Sequence, residues 1–117
     1  MNIEHLREYC LAKKGVEETF PFDNDTLVFK VMGKMFALTS LSEPNSVNLK
    51  CNPEKAIEYR ANFGGVTPGF HMNKTHWNTV KFNEDVSDNW ILEMVNDSYN
   101  LIVDSLTKKL KQELDLF

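Results

Sequence analysis

The sequence predicts a two-layer α+β domain, in which an antiparallel sheet of about five strands is covered on one face by helices, in the order α-β-β-β-α-β-β-α. Three observations support this fold class. Apolar residues recur at helical spacing near both ends of the chain, the middle alternates with period two, and the connections are short turns that favour antiparallel neighbours. At 117 residues, the chain is expected to form a single domain over residues 1–117.

Helices are predicted where a capping residue precedes an apolar stripe at helical spacing. Asn2 starts the first predicted helix, Asn52 the second, and Ser87 or Asp88 the third. The predicted segments are residues 2–14, 52–63 and 88–105, with a final turn or short helix over residues 108–114.

Strands are predicted from β-branched and aromatic residues between turn signals. The predicted strands are residues 27–31, 35–41, 46–50 and 76–82, with residues 66–73 as loop or strand and residues 17–24 as an irregular lead-in. Alternation in these strands sends Lys30, Asn48 and Lys50 outward, away from the helices. The outward face of the sheet is therefore expected to be open to solvent or to a partner.

Composition indicates a soluble, cytoplasmic protein. Apolar residues make up 42% and charged residues 26% of the chain, and no apolar run approaches the roughly 20 residues of a membrane span. The charged N-terminus does not fit a signal peptide. Cys10 and Cys51 lie far apart in no metal or redox spacing, so both are expected to be buried or half-buried thiols in a reducing cytosol.

Charge is unevenly distributed along the chain. The formal net charge is −4, yet residues 30–81 carry seven Lys and Arg against three acids, a local net of +4. Two interpretations remain open. Basic and acidic elements can attract each other within the fold, or a local basic face can attract an anionic partner in spite of the overall sign.

No catalytic or cofactor motif is present. The chain lacks a phosphate loop, a dinucleotide-binding glycine pattern and a nucleophile elbow, so we expect neither an enzyme nor a cofactor. His71 and His76 are five residues apart, which fits neither helical nor strand ligand spacing, and no carboxylate lies nearby in sequence. We therefore expect no metal site.

The run of residues 68–80 is chemically unusual because it has no acid and mixes cationic, amide and aromatic side chains: Phe70, His71, Asn73, Lys74, His76, Trp77 and Asn78. Lysine neutralises phosphates, Asn and His contact phosphates or base edges, and an aromatic ring stacks on bases. Spacing alone favours a structural interpretation, in which Trp77 anchors the core, His71 bonds a carbonyl and Asn73 with Lys74 forms a turn.

The chain resembles the MmcQ/YjbR family of small bacterial proteins. The resemblance rests on Phe29-Lys30-Val31, Gly33 to Leu38, Ser46 to Cys51, Pro68 to Lys74, and His76-Trp77-Asn78-Thr79-Val80. It implies a two-layer α+β fold similar to frataxin and to secretion chaperones, and a DNA-binding role through a double-wing arrangement. It implies no enzymatic reaction.

Two positions depart from the family pattern. Met32-Gly33 stands where the family usually has two glycines, and Phe70 stands where Tyr is common. The iron binding of frataxin-like proteins is not carried over, because helix 2–14 holds only Glu4 and Glu8 as acids.

The leading functional hypothesis is therefore a DNA-binding protein of low sequence specificity. Its predicted contacts are Lys30, Lys34, Lys50, Arg60 and Lys74 to phosphates, Asn73, His76 and Asn78 as polar readers, and Trp77 as a stacking group. One alternative is an adaptor that binds a protein partner through the open sheet face. Another is a small anion or ligand site built from His71, Lys74, His76 and Asn78. The sequence does not determine the oligomeric state.

Overall fold

The computed structural model describes residues 1–117 as an antiparallel sheet with helices packed on one side. The helices are α1 (Ile3–Leu11), α2 (Pro53–Asn62), α3 (Asp88–Ser105) and α4 (Lys108–Leu114). The strands are β1 (Val16–Thr19), β2 (Thr26–Val31), β3 (Lys34–Ser40), β4 (Ser46–Lys50), β5 (Val66–Pro68) and β6 (Trp77–Lys81). The predicted fold class is confirmed.

The sheet has six strands in the order β1-β2-β3-β4-β6-β5, one more than predicted. The additional strand is β1, which pairs with β2 from Val16 opposite Val31 to Thr19 opposite Val28. Sequence pattern missed it because Val16-Glu17-Glu18-Thr19 holds one apolar residue and two acids. These four residues form a strand because they pair with the hydrophobic strand β2, and not because of their own intrinsic β-propensity.

Side-chain caps set the starts of the helices, as predicted. Asn2 Oδ1 accepts the backbone N–H of His5 at 2.8 Å, and Ser87 Oγ accepts that of Trp90 at 3.2 Å. The first helix is shorter than predicted, because it ends at Leu11 instead of residue 14. The backbone N–H of Lys13 bonds the carbonyl of Cys10 at 3.1 Å in a tighter turn, and Gly15 then takes a positive φ of 71°.

The core lies between the helices and one face of the sheet. A cluster of 19 buried residues joins Leu6 of α1, Phe29 of β2, Val80 of β6 and Ile91 of α3. Both cysteines are buried and unpaired, as predicted. Burial raises the pKa of Cys10 to about 12, so its thiol stays protonated at neutral pH. None of the helices is both long enough and apolar enough to span a bilayer.

The β2–β3 hairpin turns through Met32 and Gly33, with φ values of 51° and 82°. A two-residue hairpin loop with both φ values positive is the geometry that favours glycine. Gly33 adopts a positive φ without strain, whereas Met32, which has a Cβ, adopts it with some backbone strain. Two glycines would therefore suit this turn well. Beyond the turn, the register shifts at Phe29 and Lys30, so that Phe36 is an extra residue in β3.

Candidate functional site

The face of the sheet opposite the helices is the candidate functional surface, and we call it the open face. Strand alternation and register place on it Lys30 of β2, Leu38 of β3, Asn48 and Lys50 of β4, and Thr79 and Lys81 of β6. Lys30 and Lys50 are two strands apart, about 10 Å across the sheet. The outward direction predicted for Lys30, Asn48 and Lys50 agrees with this geometry.

Most of the predicted basic residues gather at one end of the sheet. Because neighbouring strands are antiparallel, the C-terminal ends of β2 and β4 meet the N-terminal ends of β3 and β6. We call the resulting group the basic end; it comprises Lys30, Lys34, Lys50, Lys74 and His76. Lys34 lies opposite Val31, a core residue, so it sits at the rim of the sheet instead of on the open face.

The lysines of the basic end form no salt bridge. The ion pairs of the protein use other cations: the N-terminus, Arg7, Lys14 and Lys55. Asp97 of α3 lies 3.5 Å from Lys55 on the helix side of the sheet and does not pair with the basic end. The nearest acid on the open face by register is Glu17, the β1 residue opposite Lys30.

The loop of residues 69–76 crosses the open face and is tied to the sheet. The backbone N–H of Phe70 bonds Thr79 Oγ1 at 2.9 Å, and Asn48 Nδ2 donates to the Phe70 carbonyl at 3.2 Å. Thr79 Oγ1 in turn donates to Asn48 Oδ1 at 2.6 Å. The backbone is therefore fixed on both sides of Phe70, while its ring remains 67% exposed.

Trp77 and Asn78 lie inside the protein. Trp77 is only 8% exposed and packs with Val28 and Leu38, beneath Met72 of the loop. Asn78, 2% exposed, faces the helices, where Oδ1 accepts Arg60 Nη1 at 2.8 Å and Nδ2 donates to the Ala56 carbonyl at 3.2 Å. Neither side chain presents a polar or stacking group to solvent, so we leave both out of the candidate surface.

Asn73, Lys74 and His76 form the turn that returns the loop to β6. Asn73 Oδ1 accepts the backbone N–H groups of Thr75 at 2.9 Å and His76 at 3.2 Å. Lys74 Nζ donates to the Gly69 carbonyl at 3.0 Å, and Arg60 Nη1 contacts the Lys74 carbonyl at 3.4 Å. Asn73 thus shapes the turn, while His76 is exposed and Lys74 remains accessible at the basic end.

A groove of about 900 Å³ occupies the remainder of the open face. Its floor is Leu38, Ser46, Asn48 and Thr79, and its walls include Phe22 on one side and Phe70, His71 and Met72 on the other. Sequence reasoning did not find this groove. Phe22 belongs to the segment predicted as an irregular lead-in, and the connection between β1 and β2 brings it into the lining of the groove.

The far end of the groove is acidic, and we call Asp23, Asp25 and Glu43 the acidic end. Asp25 Oδ2 accepts the Ser40 hydroxyl at 2.6 Å and Oδ1 accepts the Ser42 N–H at 2.8 Å, which lowers the pKa of Asp25 below its ordinary value. Asp23 has a lowered pKa because it accepts the N–H groups of Thr26 and Asp25. Both carboxylates are therefore charged at neutral pH.

The residues predicted for a small anion site do not line a single pocket. Of His71, Lys74, His76 and Asn78, only His71 lines the groove, and Asn78 faces the opposite side of the sheet. No group of three or more His, Cys, Asp and Glu side chains is close enough to hold a metal ion. The chemistry of the open face is therefore that of a charged, aromatic-walled groove.

Fold and surface together define a two-layer α+β domain with an open sheet face, basic at one end and acidic at the other. The YjbR family model matches residues 11–101. The chain belongs to the YjbR family, as its sequence motifs predicted.

Similar proteins cover nearly the full chain. YbdF of Escherichia coli O157:H7 is 40% identical over 107 residues, which make up 91% of this chain and 88% of YbdF. YjbR of Escherichia coli strain K12 is 34% identical over 115 residues, 97% of this chain and 98% of YjbR. Both are described as uncharacterized proteins.

Solved structures have the same fold. The crystal structure of the Deinococcus radiodurans protein DR2400 gives a TM-score of 0.89 at 37% identity, over 97% of this chain and 87% of that one. A crystal structure of a Pseudomonas syringae protein gives a TM-score of 0.74 at 28% identity, over 86% of this chain and 98% of that one.

Proposed function

We propose that this protein binds DNA with low sequence specificity in the cytoplasm, through the basic end of its sheet. The observation that carries the proposal is that Lys30, Lys34, Lys50 and Lys74 share one end of the sheet and pair with no carboxylate. Cations that are not neutralised within the fold remain available for phosphates.

In this proposal, the positive charge of the basic end matters more for DNA binding than the negative net charge of the whole protein. The formal net charge of −4 repels DNA at long range, but screening limits that repulsion to about 8 Å at physiological ionic strength. Within that range, a phosphate at the basic end meets lysines first, with Glu17 as the opposing charge. The acidic end disfavours phosphates nearby, so the protein is expected to contact phosphates mainly at the basic end and to contact only a few of them.

Affinity is expected to be modest and strongly salt-dependent. Four lysines releasing counterions from duplex DNA give a slope of roughly −3 to −4 in a plot of log K against log salt. Few side chains in this surface offer geometry for reading base edges, since Asn78 is buried and Asn73 is used in its own turn. Binding should therefore vary little with sequence.

Fluorescence anisotropy with a labelled duplex, and with each of its separated strands, tests the proposal at low and moderate salt. The variant Lys30→Gln plus Lys50→Gln should weaken binding and reduce the salt slope by roughly 2. The matched control, Lys108→Gln plus Lys109→Gln in α4, changes net charge equally on the helix side of the sheet. Absence of salt-dependent binding to either form of DNA, or equal loss in both variants, contradicts the proposal.

A second candidate is a protein-interaction domain, favoured by apolar side chains at the acidic end. Phe22 and Leu41 are 63% and 45% exposed, and the Leu41 N–H bonds the Asp25 carbonyl at 2.9 Å. Exposed apolar groups ringed by acids suit a basic, apolar protein segment. This candidate would be favoured if a discrete protein co-purifies with the wild type and no nucleic acid is found in the same eluate. The double variant Phe22→Ser plus Leu41→Ser should then no longer retain that protein.

A further inference from the structure

We infer that the open face binds single-stranded nucleic acid in preference to duplex, with an unpaired base stacked on Phe70. The inference rests on the proposed function, since it names the form of nucleic acid that this face accepts. It starts from a different observation, the position and exposure of the aromatic rings in the groove.

Phe70 is an exposed ring on a fixed backbone. Its side chain is 67% exposed although its own N–H and carbonyl are held by Thr79 and Asn48 at 2.9 Å and 3.2 Å. The ring of His71 lies beside it, with centroids 4.0 Å apart and planes inclined by 51°. Because the two planes are inclined, a base can stack on only one of them, and we take the exposed Phe70 ring, flanked by His71, as the aromatic platform. It needs little further ordering when a ligand stacks on it, since its backbone is already held.

Duplex DNA cannot use this platform. A duplex presents phosphates and base edges, because its base faces are covered by neighbouring base pairs. An unpaired base presents a full π face, and stacking on an aromatic side chain tolerates any sequence. A surface that combines free lysines with an exposed ring therefore matches the chemistry of a single strand better than that of a duplex.

The lysines and the platform are correctly spaced for one strand. Phe70 is bonded to Asn48 and Thr79, which face each other across β4 and β6. The next outward-facing residue of β4 toward the basic end is Lys50, two residues or about 7 Å along the strand. The backbone that carries Phe70 and the backbone of Lys50 are therefore close enough for a base stacked on Phe70 and a phosphate held by Lys50 to belong to the same or neighbouring nucleotides.

The acidic end fixes the direction in which the strand leaves the platform. Asp23, Asp25 and Glu43 line the groove on the side away from Lys50. These three acids outnumber Lys81, the one lysine that lines the groove, so phosphates are disfavoured there and the backbone of the strand is expected to run across the basic end, over Lys30 and Lys50. The bases can enter the groove, where the unbonded hydroxyl of Ser46 and the ammonium of Lys81 face each other across the strands.

Anisotropy titrations with a single DNA strand of about 12 nucleotides, the matching RNA strand and the matching duplex test this inference. Phe70→Ala should weaken single-strand binding roughly 5- to 150-fold and leave duplex binding within about twofold. Phe70→Tyr should restore single-strand binding because the ring is retained. Phe117→Ala, at an exposed ring outside the groove, should change neither.

The outcomes separate the inference from the proposed function. Salt-dependent duplex binding with equal or weaker single-strand binding overturns the inference and leaves DNA binding intact. Loss of duplex affinity in Phe70→Ala to the same degree overturns it as well. The inference is supported if either single strand binds more tightly than the duplex and this preference is lost in Phe70→Ala and retained in Phe70→Tyr. Comparison of the DNA strand with the RNA strand then shows which of the two is preferred. No binding to any of the three probes overturns both.

Discussion

The hydroxyl of Ser98 donates a 2.6 Å hydrogen bond to the carbonyl of Phe36, deep inside the protein. The same oxygen accepts the backbone N–H of Lys50 at 2.9 Å. Phe36 and Lys50 lie one residue beyond the last paired residues of β3 and β4, Ala37 and Leu49. Ser98 of α3 therefore bridges two strands where their direct pairing ends, and it holds the backbone from which Lys50 reaches the basic end.

Ser98→Ala should lower the free energy of unfolding by about 1 to 3 kcal/mol, because it leaves a partly buried N–H and a buried carbonyl without their partner. Urea denaturation measures the change. Ser105→Ala is the matched control in the same helix, where an exposed serine bonds only the Ile102 carbonyl. A loss in Ser98→Ala no larger than that of the control would show that the bridge contributes nothing.

Asn78→Ala should destabilise the fold by about 1 to 3 kcal/mol, since it frees Arg60 and the Ala56 carbonyl from their buried partner. The affinity of the folded variant for DNA should not change, because the side chain does not reach the surface. Thermal unfolding and anisotropy measure the two quantities separately. Asn100→Ala, an exposed position in α3, should be neutral in both. A large loss of affinity in a stably folded Asn78→Ala would restore Asn78 as a direct contact.

Glu17→Gln should raise DNA affinity roughly 2- to 5-fold at low salt, because it removes the acid opposite Lys30. The gain should shrink as salt is added. Glu4→Gln in α1 removes the same charge from the helix layer and tests for a simple effect of net charge. An equal gain in both variants would mean that the position of Glu17 is irrelevant.

Asp85 links stability to pH. Its carboxylate accepts the N–H groups of Gly65 at 2.8 Å and Gly64 at 2.6 Å, which lower its pKa below the ordinary value of 3.8. A lowered folded-state pKa contributes stability above the unfolded-state value, and this contribution is lost as pH falls through the folded-state value. Asp85→Asn should therefore be less stable than wild type at pH 7, and the difference should shrink below about pH 4.

Urea denaturation of both proteins at neutral and acidic pH measures this linkage. Asp104→Asn, which removes the same charge at an exposed acid of α3, is the matched control. A stability difference between Asp85→Asn and wild type that is independent of pH would contradict a stabilising role for the ionised Asp85 carboxylate.

Local signals predicted the helices and the central strands well, because their determinants lie within a few residues. Asn2 and Ser87 cap helices as expected, and period-two alternation correctly directed Lys30 and Lys50 outward. The DNA contacts assigned to these lysines remain predictions. Strand β1 was missed because its strand character comes from pairing with β2, which is a tertiary property.

The candidate site was harder to predict because both faces of β6 are covered. Alternation alone exposes every second residue of a strand, yet Trp77, Asn78, Thr79 and Val80 are all buried. The 69–76 loop folds back over the open face and covers Trp77, while α2 covers Asn78. The same fold-back projects Phe70 into the groove, and no pattern within residues 68–80 indicates it.

Two-dimensional NMR of the labelled protein during titration with a short DNA strand tests the central claim most directly. We predict that the largest chemical-shift changes fall on Lys30, Lys50 and residues 69–76, and that they diminish with added salt. The helices α1 and α4 should change little. Shifts centred on the helix side of the sheet, or no shifts at low salt, would contradict DNA binding through the open face.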